Sequence, residues 1–289
     1  MSTEENNKVN RHQLVIGVTS NDEASCFPVE IIAYHHKVLD TVGGIPILVT
    51  YCSVCRSGRV YSPVVNGNLQ KFRLVGMDQF NAMLEDSASR TWWRQENGEA
   101  VAGPLKGMHL TEIPSQQMTL QAWLTEHPAT TIMQADPDFI KEYASLEGFG
   151  EGSISNNLEG TSHASWQSKS WVIGIVSGQQ ARAYDWIGLK SELLINDTLD
   201  NTPLLIAIER DMMSFHVWDR RVDGQTLEFI KKDSSNFFYD LATGSAWNYS
   251  GVCIAGTLTG NRLKNISAYQ EFWHSWRTFH PGTTRYEIH

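Results

Sequence analysis

The feature that most constrains this chain is its resemblance to itself. Val15-Ile16-Gly17-Val18 returns as Val172-Ile173-Gly174-Ile175, 157 residues further on. In the same register Asp40-Thr41 meets Asp197-Thr198, Pro46-Ile47-Leu48 meets Pro203-Leu204-Leu205, and Gly67 meets Gly224. After one slip, at an offset of 153 residues, Gly103, Leu105, Gly107 and Leu110 meet Gly256, Leu258, Gly260 and Leu263. The ending Trp123-x-x-x-His127-Pro128 recurs there as Trp276-x-x-x-His280-Pro281. Self-similarity over two long registers reads as a tandem duplication, which settles architecture before any motif does. The repeats are 13–134 and 171–289, expected to pack as a pseudo-twofold pair. Residues 135–170 have no counterpart, are rich in Gly, Ser, Asn and Glu, and read as a linker. Residues 1–12 read as a disordered tail.

Within each repeat the pattern is mostly strand, so the expected class is β-rich α+β. Ile45 to Tyr51 is a β-branched run after Gly43-Gly44. Asn66-Gly67 and Asp223-Gly224 are hairpin turns, because both central positions of such a turn need positive φ. Thr119 to Glu126 reads as a short helix with Thr119 as its N-cap and Pro128 just beyond its end. Val29 to Leu39 fits either a helix or an irregular segment.

The chain has 289 residues, 41% hydrophobic and 19% charged, which suits a globular protein with a real core. No apolar run approaches the roughly 20 residues of a membrane-spanning helix, and Met1 to Asn10 lacks the apolar stretch of a secretory signal. The expected compartment is therefore cytoplasmic, with no membrane partner. A net charge of −9 argues against a nucleic-acid partner, which would call for a basic face. In a reducing compartment the four cysteines are expected as thiols, with Cys26 and Cys253 as small buried apolar residues.

A duplication carries its own control, since both copies must fold but only one need act. The repeated His127 and His280, each followed by proline, read as structural caps. The unrepeated residues are the informative ones. Cys52 and Cys55 align with Glu209 and Met212, and His35 and His36 with Glu192 and Leu193. Two thiols and two imidazoles thus flank one strand of the first repeat. They meet only if the segment before Gly43-Gly44 runs back along that strand, which is about 20 Å long. Cys-x-x-Cys at a strand end forms a knuckle that aims both sulfurs at one spot, and soft or borderline metals suit such ligands.

His35, Cys52 and Cys55, with His36 as a fourth or replacement ligand, are thus a candidate site for one transition metal. Two thiolates and an imidazole leave a coordination position open, and copper or iron is favoured over zinc for oxidoreductive chemistry. Arg90, Trp92, Trp93 and Gln95 are candidates for a substrate pocket, while Asp86, matched by Asp240, reads as structural. The expectation is a metal-dependent oxidoreductase acting on a small molecule. The alternatives are a metal carrier or sensor, a metal-free dithiol redox protein, and a structural module. No phosphate-binding glycine loop, nucleophile elbow or haem-attachment motif is present.

The same residues resemble the domain of unknown function 3179 family, an uncharacterised and mainly bacterial group. Its pattern of Trp-His-Glu, Asn-Asp, Gly-Gly-x-Pro and Thr-Tyr-Cys-Pro-Leu-Cys-Gly is similar to Tyr34-His35-His36, Leu39-Asp40, Gly43-Gly44-Ile45-Pro46 and Thr50-Tyr51-Cys52-Ser53-Val54-Cys55-Arg56. Its later Trp-x-Gln-x-x-Gly-x-Ala-x-x-Gly corresponds to Trp93, Gln95, Gly98, Ala100 and Gly103. The second repeat, around Phe215 to Gly224, resembles the pattern without its cysteines. The resemblance implies His35, Cys52 and Cys55 as the matching polar positions, with His36, Ser53 and Arg56 departing from the family's Glu, Pro and Gly. It implies no established activity.

Overall fold

A computed structural model describes residues 2, 9–232 and 236–288. Residues 1 and 3–8 of the expected tail lie outside these; Val9 is already buried, beside Trp123. Each half opens with a four-stranded sheet. In the first, Gln116–Thr119, Leu14–Ser20 and Glu23–Pro28 pair antiparallel, and Thr131–Ile132 adds in parallel. In the second, Ala268–Phe272, Trp171–Ser177, Gln180–Asp185 and Thr284–Arg285 follow the same order and directions. A meander comes next: Lys37–Val42, Ile45–Cys52 and Ser57–Tyr61 in the first half, Leu194–Leu199, Thr202–Ile208 and Phe215–Asp219 in the second. A further four-stranded sheet closes each half, from Phe72–Asp78 to Ala100–Ala102 and from Phe229–Lys231 to Cys253–Ala255.

Short helices sit at matching places. Val29–His35 and Trp186–Glu192 each end in a residue with positive φ, His36 and Leu193. Each of these then accepts a backbone bond from the facing strand, from Tyr51 and Ile208. The segment left open between helix and irregular is therefore a helix to His35 and a strand from Lys37. That strand runs back along Ile45–Cys52 with Lys37 opposite Thr50. Thr119 caps Leu120–Glu126 through Ala122 N–H, as its sequence position requires. The turn residues Asn66-Gly67 (φ 49° and 76°) and Asp223-Gly224 (48° and 80°) close two-residue hairpins.

The repeated Val-Ile-Gly and Trp-x-x-x-His-Pro motifs are two sides of one contact. A Cβ on Gly17 would lie 2.2 Å from the Trp123 ring, and one on Gly174 would lie 2.1 Å from Trp276. The indole N–H groups donate to Thr130 and Thr283, and His127 and His280, the C-cap residues, pack on the same rings at 4.1 and 3.7 Å. Trp93 and Trp247 are likewise buried and donate to Asp86 and Asp240. These repeated residues are core.

Residues 135–170 connect the halves but are not a loose tether. They contain the helix Ile140–Tyr143 and place Leu146 and Phe149 in the first half's core with Leu14, Phe27 and Tyr51. Arg56 binds this segment, donating to Phe149 O and Gly150 O at 2.8 and 2.6 Å with its guanidinium 3.6 Å from the Trp171 ring centre. Its φ of +55° is the conformation that the glycine of the family pattern would adopt without steric cost.

The halves meet through a buried charge cluster. Arg59 donates to Glu96 at 3.1 Å and to Glu271 of the second half at 2.7 Å, and lies over the Tyr269 ring. Burial, reinforced by the negative charge of Glu271, outweighs the attraction of Arg59 and pushes the Glu96 carboxyl up to about 8. A carboxyl raised on folding contributes stability below its unfolded value, near 4.5, and that contribution is lost as the pH rises through the folded value. Unfolding free energy measured by denaturant titration is therefore expected to fall between about pH 5 and pH 8. Glu96→Gln is expected to flatten that slope. Gly17→Ala, which drives a methyl into the Trp123 ring, is expected to cost about 2–3 kcal/mol by the same measurement.

Candidate functional site

The strand Ile45–Cys52 carries Cys52 to its end, and the turn that follows folds Cys55 back beside it. The hairpin between Phe72–Asp78 and Asn81–Asp86 covers the pair. Its tip residues Gln79 and Phe80 both have positive φ, 51° and 68°, which is costly for side chains of this size. The result is a carbonyl aimed at the thiols: Phe80 O lies 3.5 Å from Cys52 Sγ and 3.3 Å from Cys55 Sγ.

The two thiols differ. A hydrogen bond from the Cys55 thiol holds the Cys52 thiol below its usual range despite burial, helped by the backbone N–H groups of Cys55, Ala82 and Val54. Cys55 is pushed up by that same bond and by burial. When Cys52 has lost its proton, Cys55 remains the donor. The difference has a spatial side as well. Cys52 lines a cavity of about 530 Å³ that it shares with Tyr34, His36, Met77, Ala82 and Leu146, whereas Cys55 is not in that wall. Leu74, Met77 and Phe80, all exposed, belong to the covering hairpin.

The sequence-derived candidates fall in different places. His36 shares the cavity with Cys52 and has Nδ1 3.3 Å from Tyr51 O. His35 instead turns to Tyr143, with Nε2 2.6 Å from the phenol oxygen and the ring edge-on to Tyr34 and Phe139. Burial lowers its pKa, which favours neutral imidazole. Among the described residues no His, Asp or Glu ligand atom lies within 4.8 Å of both sulfurs. His35, His36, Cys52 and Cys55 are thus not gathered around one point: the sulfurs meet, and the imidazoles stand apart.

Of the pocket candidates, none lines this cavity. Arg90 and the half-exposed Trp92 both donate to Glu85, and Trp93 is core. Gln95 is fully buried behind the thiols. Its side-chain oxygen accepts from Ser57 and Asn81, and its nitrogen donates to Thr50 and to Ser57 O. Asn81 in turn bonds Cys55, so Gln95 holds the rear wall.

Residues outside the first repeat complete the site. Phe272 N–H donates to Cys55 O at 2.9 Å. Lys169 donates to Val54 O and Leu158 O, and its charge interacts with both thiols. His274 has Nε2 3.1 Å from Val54 O and is kept neutral chiefly by burial. Sequence reasoning passed over these residues. His274 had a signal available, because its counterpart at the 153-residue offset is Gln121.

Fold and site together define a β-rich α+β protein with a buried Cys-x-x-Cys knuckle beside a largely apolar cavity. The chain belongs to the family described as "Protein of unknown function (DUF3179)", whose profile matches residues 1–283. Comparison with curated proteins and with solved structures returned no match. Among the described residues no helix is long and apolar enough to cross a membrane.

Brief iodoacetamide treatment near neutral pH, followed by peptide mass mapping, is expected to label Cys52 first. Cys26, pushed up to about 12 by burial, and Cys55 should lag. Equal labelling of all four would contradict the asymmetry described here.

Proposed function

We propose that the protein is a thiol oxidoreductase that acts on a small, largely apolar molecule in the cavity beside Cys52. The observation that carries this reading is the ordered pair: Cys52 lines the cavity, while Cys55 packs against it outside that wall, and the Cys55 thiol acts to lower the pKa of Cys52. That is the division between an attacking and a resolving thiol. With an organic disulfide R–S–S–R′, Cys52 thiolate attacks one sulfur, forms a mixed disulfide and releases R′S⁻. The released thiolate takes the Cys55 proton, and Cys55 sulfur attacks Cys52 Sγ. The products are the Cys52–Cys55 disulfide and RS⁻, which picks up a proton from water. Two electrons pass from the protein to the substrate.

A second reading keeps a metal at this site. Three backbone N–H groups directed at Cys52 and a pair of convergent sulfurs also describe a knuckle for a thiolate-loving ion, copper or iron before zinc. In that case Cys52 and Cys55 are the ligands, His36 joins by swinging across the cavity, and a position stays open for the substrate. His35, bonded to Tyr143, belongs to neither reading. Both readings treat the chain as a tandem duplication whose second copy has lost the thiols. The shared strand order and the paired glycine–tryptophan contacts support this. A cytoplasmic setting, with neither nucleic acid nor membrane as partner, suits both.

Treatment with a small aromatic disulfide separates them. The native protein is expected to release two equivalents of aromatic thiol and gain a Cys52–Cys55 disulfide. Cys55→Ser should trap the mixed disulfide at Cys52, and Cys52→Ser should not react. Elemental analysis of the same preparation reads the alternative. About one copper or iron per chain, lost in the Cys52→Ser, Cys55→Ser protein while its fold persists, would replace the dithiol reading with the metal one. A Cys55→Ser protein that traps nothing would end the dithiol reading.

A further inference from the structure

The second half has no thiols at its own knuckle, but the position is not chemically empty. Strand Thr202–Ile208 runs into Glu209, the residue aligned with Cys52, and the next strand carries His216. The His216 side chain is only 2% exposed, and its Nε2 lies 2.7 Å from Glu209 Oε1. Its Nδ1 lies 3.9 Å from Oε1 of Glu126, the last residue of helix Leu120–Glu126 in the first half. One ligand atom from each of the three lies within 4.8 Å of the other two.

Two features of this group point to a missing cation. Oε1 of Glu126 is buried and has no hydrogen-bond partner, a condition that costs on the order of 1–3 kcal/mol unless something meets it. The imidazole is also committed to one carboxylate, Glu209 at 2.7 Å, and stays 3.9 Å from the other. His216 also lines a cavity of about 180 Å³ between the halves with Gly17, Gln117, Trp123 and Asn265, a wall that includes neither glutamate.

We propose that Glu126, Glu209 and His216 bind a divalent cation such as zinc, separate from the thiol site. Imidazole nitrogen and carboxylate oxygen are both zinc ligands, with bonds of about 2.0–2.2 Å. Such bonds need the ligand atoms about 3–4 Å apart, so small side-chain rotations suffice. Binding displaces the proton shared by His216 and Glu209. Because Glu126 and His216 come from different halves, the ion would also clamp one half to the other.

The test uses the full-length chain with Cys52→Ser and Cys55→Ser, so that thiols cannot compete. Calorimetric titration with zinc is expected to show one ion per chain with proton release, and thermal unfolding should move upward when zinc is present. Glu209→Gln, at a partly exposed position, should weaken binding by about 10-fold or more while the circular dichroism spectrum is unchanged. Glu126→Gln should remove the thermal shift. Absence of zinc binding, or binding unchanged in Glu209→Gln, would overturn the proposal.

Discussion

The arrangement depends on one buried cation. Arg59 leaves the strand Ser57–Tyr61 and reaches Glu271 of the second half, with Glu96 on its other side. Removing either end would leave a charge stranded in the interior, which costs more than the pair itself supplies. The strand that carries Glu271 also supplies the Phe272 N–H that fixes Cys55 O. The ion pair that holds the halves together therefore also sets the back of the thiol site. This is why a site made from first-half cysteines cannot be understood within the first half.

Much of the fold was legible because the sequence repeats its packing motifs and not its Cys-x-x-Cys pair. Gly17 with Trp123, Gly174 with Trp276, and the histidines stacked on those rings are repeated because each half needs the same close contact. The convergence of Cys52 and Cys55 followed from their spacing, while the return of Lys37–Val42 along the thiol strand stood only as the condition for the histidines to join them. The histidines did not. His35 and His36 are neighbours in sequence, yet the helix ends at His35 and His36 is the left-handed residue before the strand that starts at Lys37. That reversal sends their side chains to different surroundings, and no periodicity announces it.

Contacts distant in sequence were also hidden. Lys169 and His274 reach Val54 from about 115 and 220 residues away. Leu146 and Phe149 enter the core from a segment whose composition suggests solvent. Single buried residues embedded in polar stretches give no periodic signal, so such attachments become visible only in three dimensions.

The carbonyl of Phe80 gives the site an outlet. Its hairpin turn holds two large residues in left-handed conformations, and its oxygen lies within reach of both sulfhydryl groups. A disulfide between Cys52 and Cys55 has no proton to give, so on oxidation this oxygen would have no sulfhydryl donor while the backbone strain remained. The Phe80 side chain lies 61% exposed at the same turn. The state of two hidden sulfur atoms thus bears on the hydrogen bonding of a turn whose side chain stands in solvent.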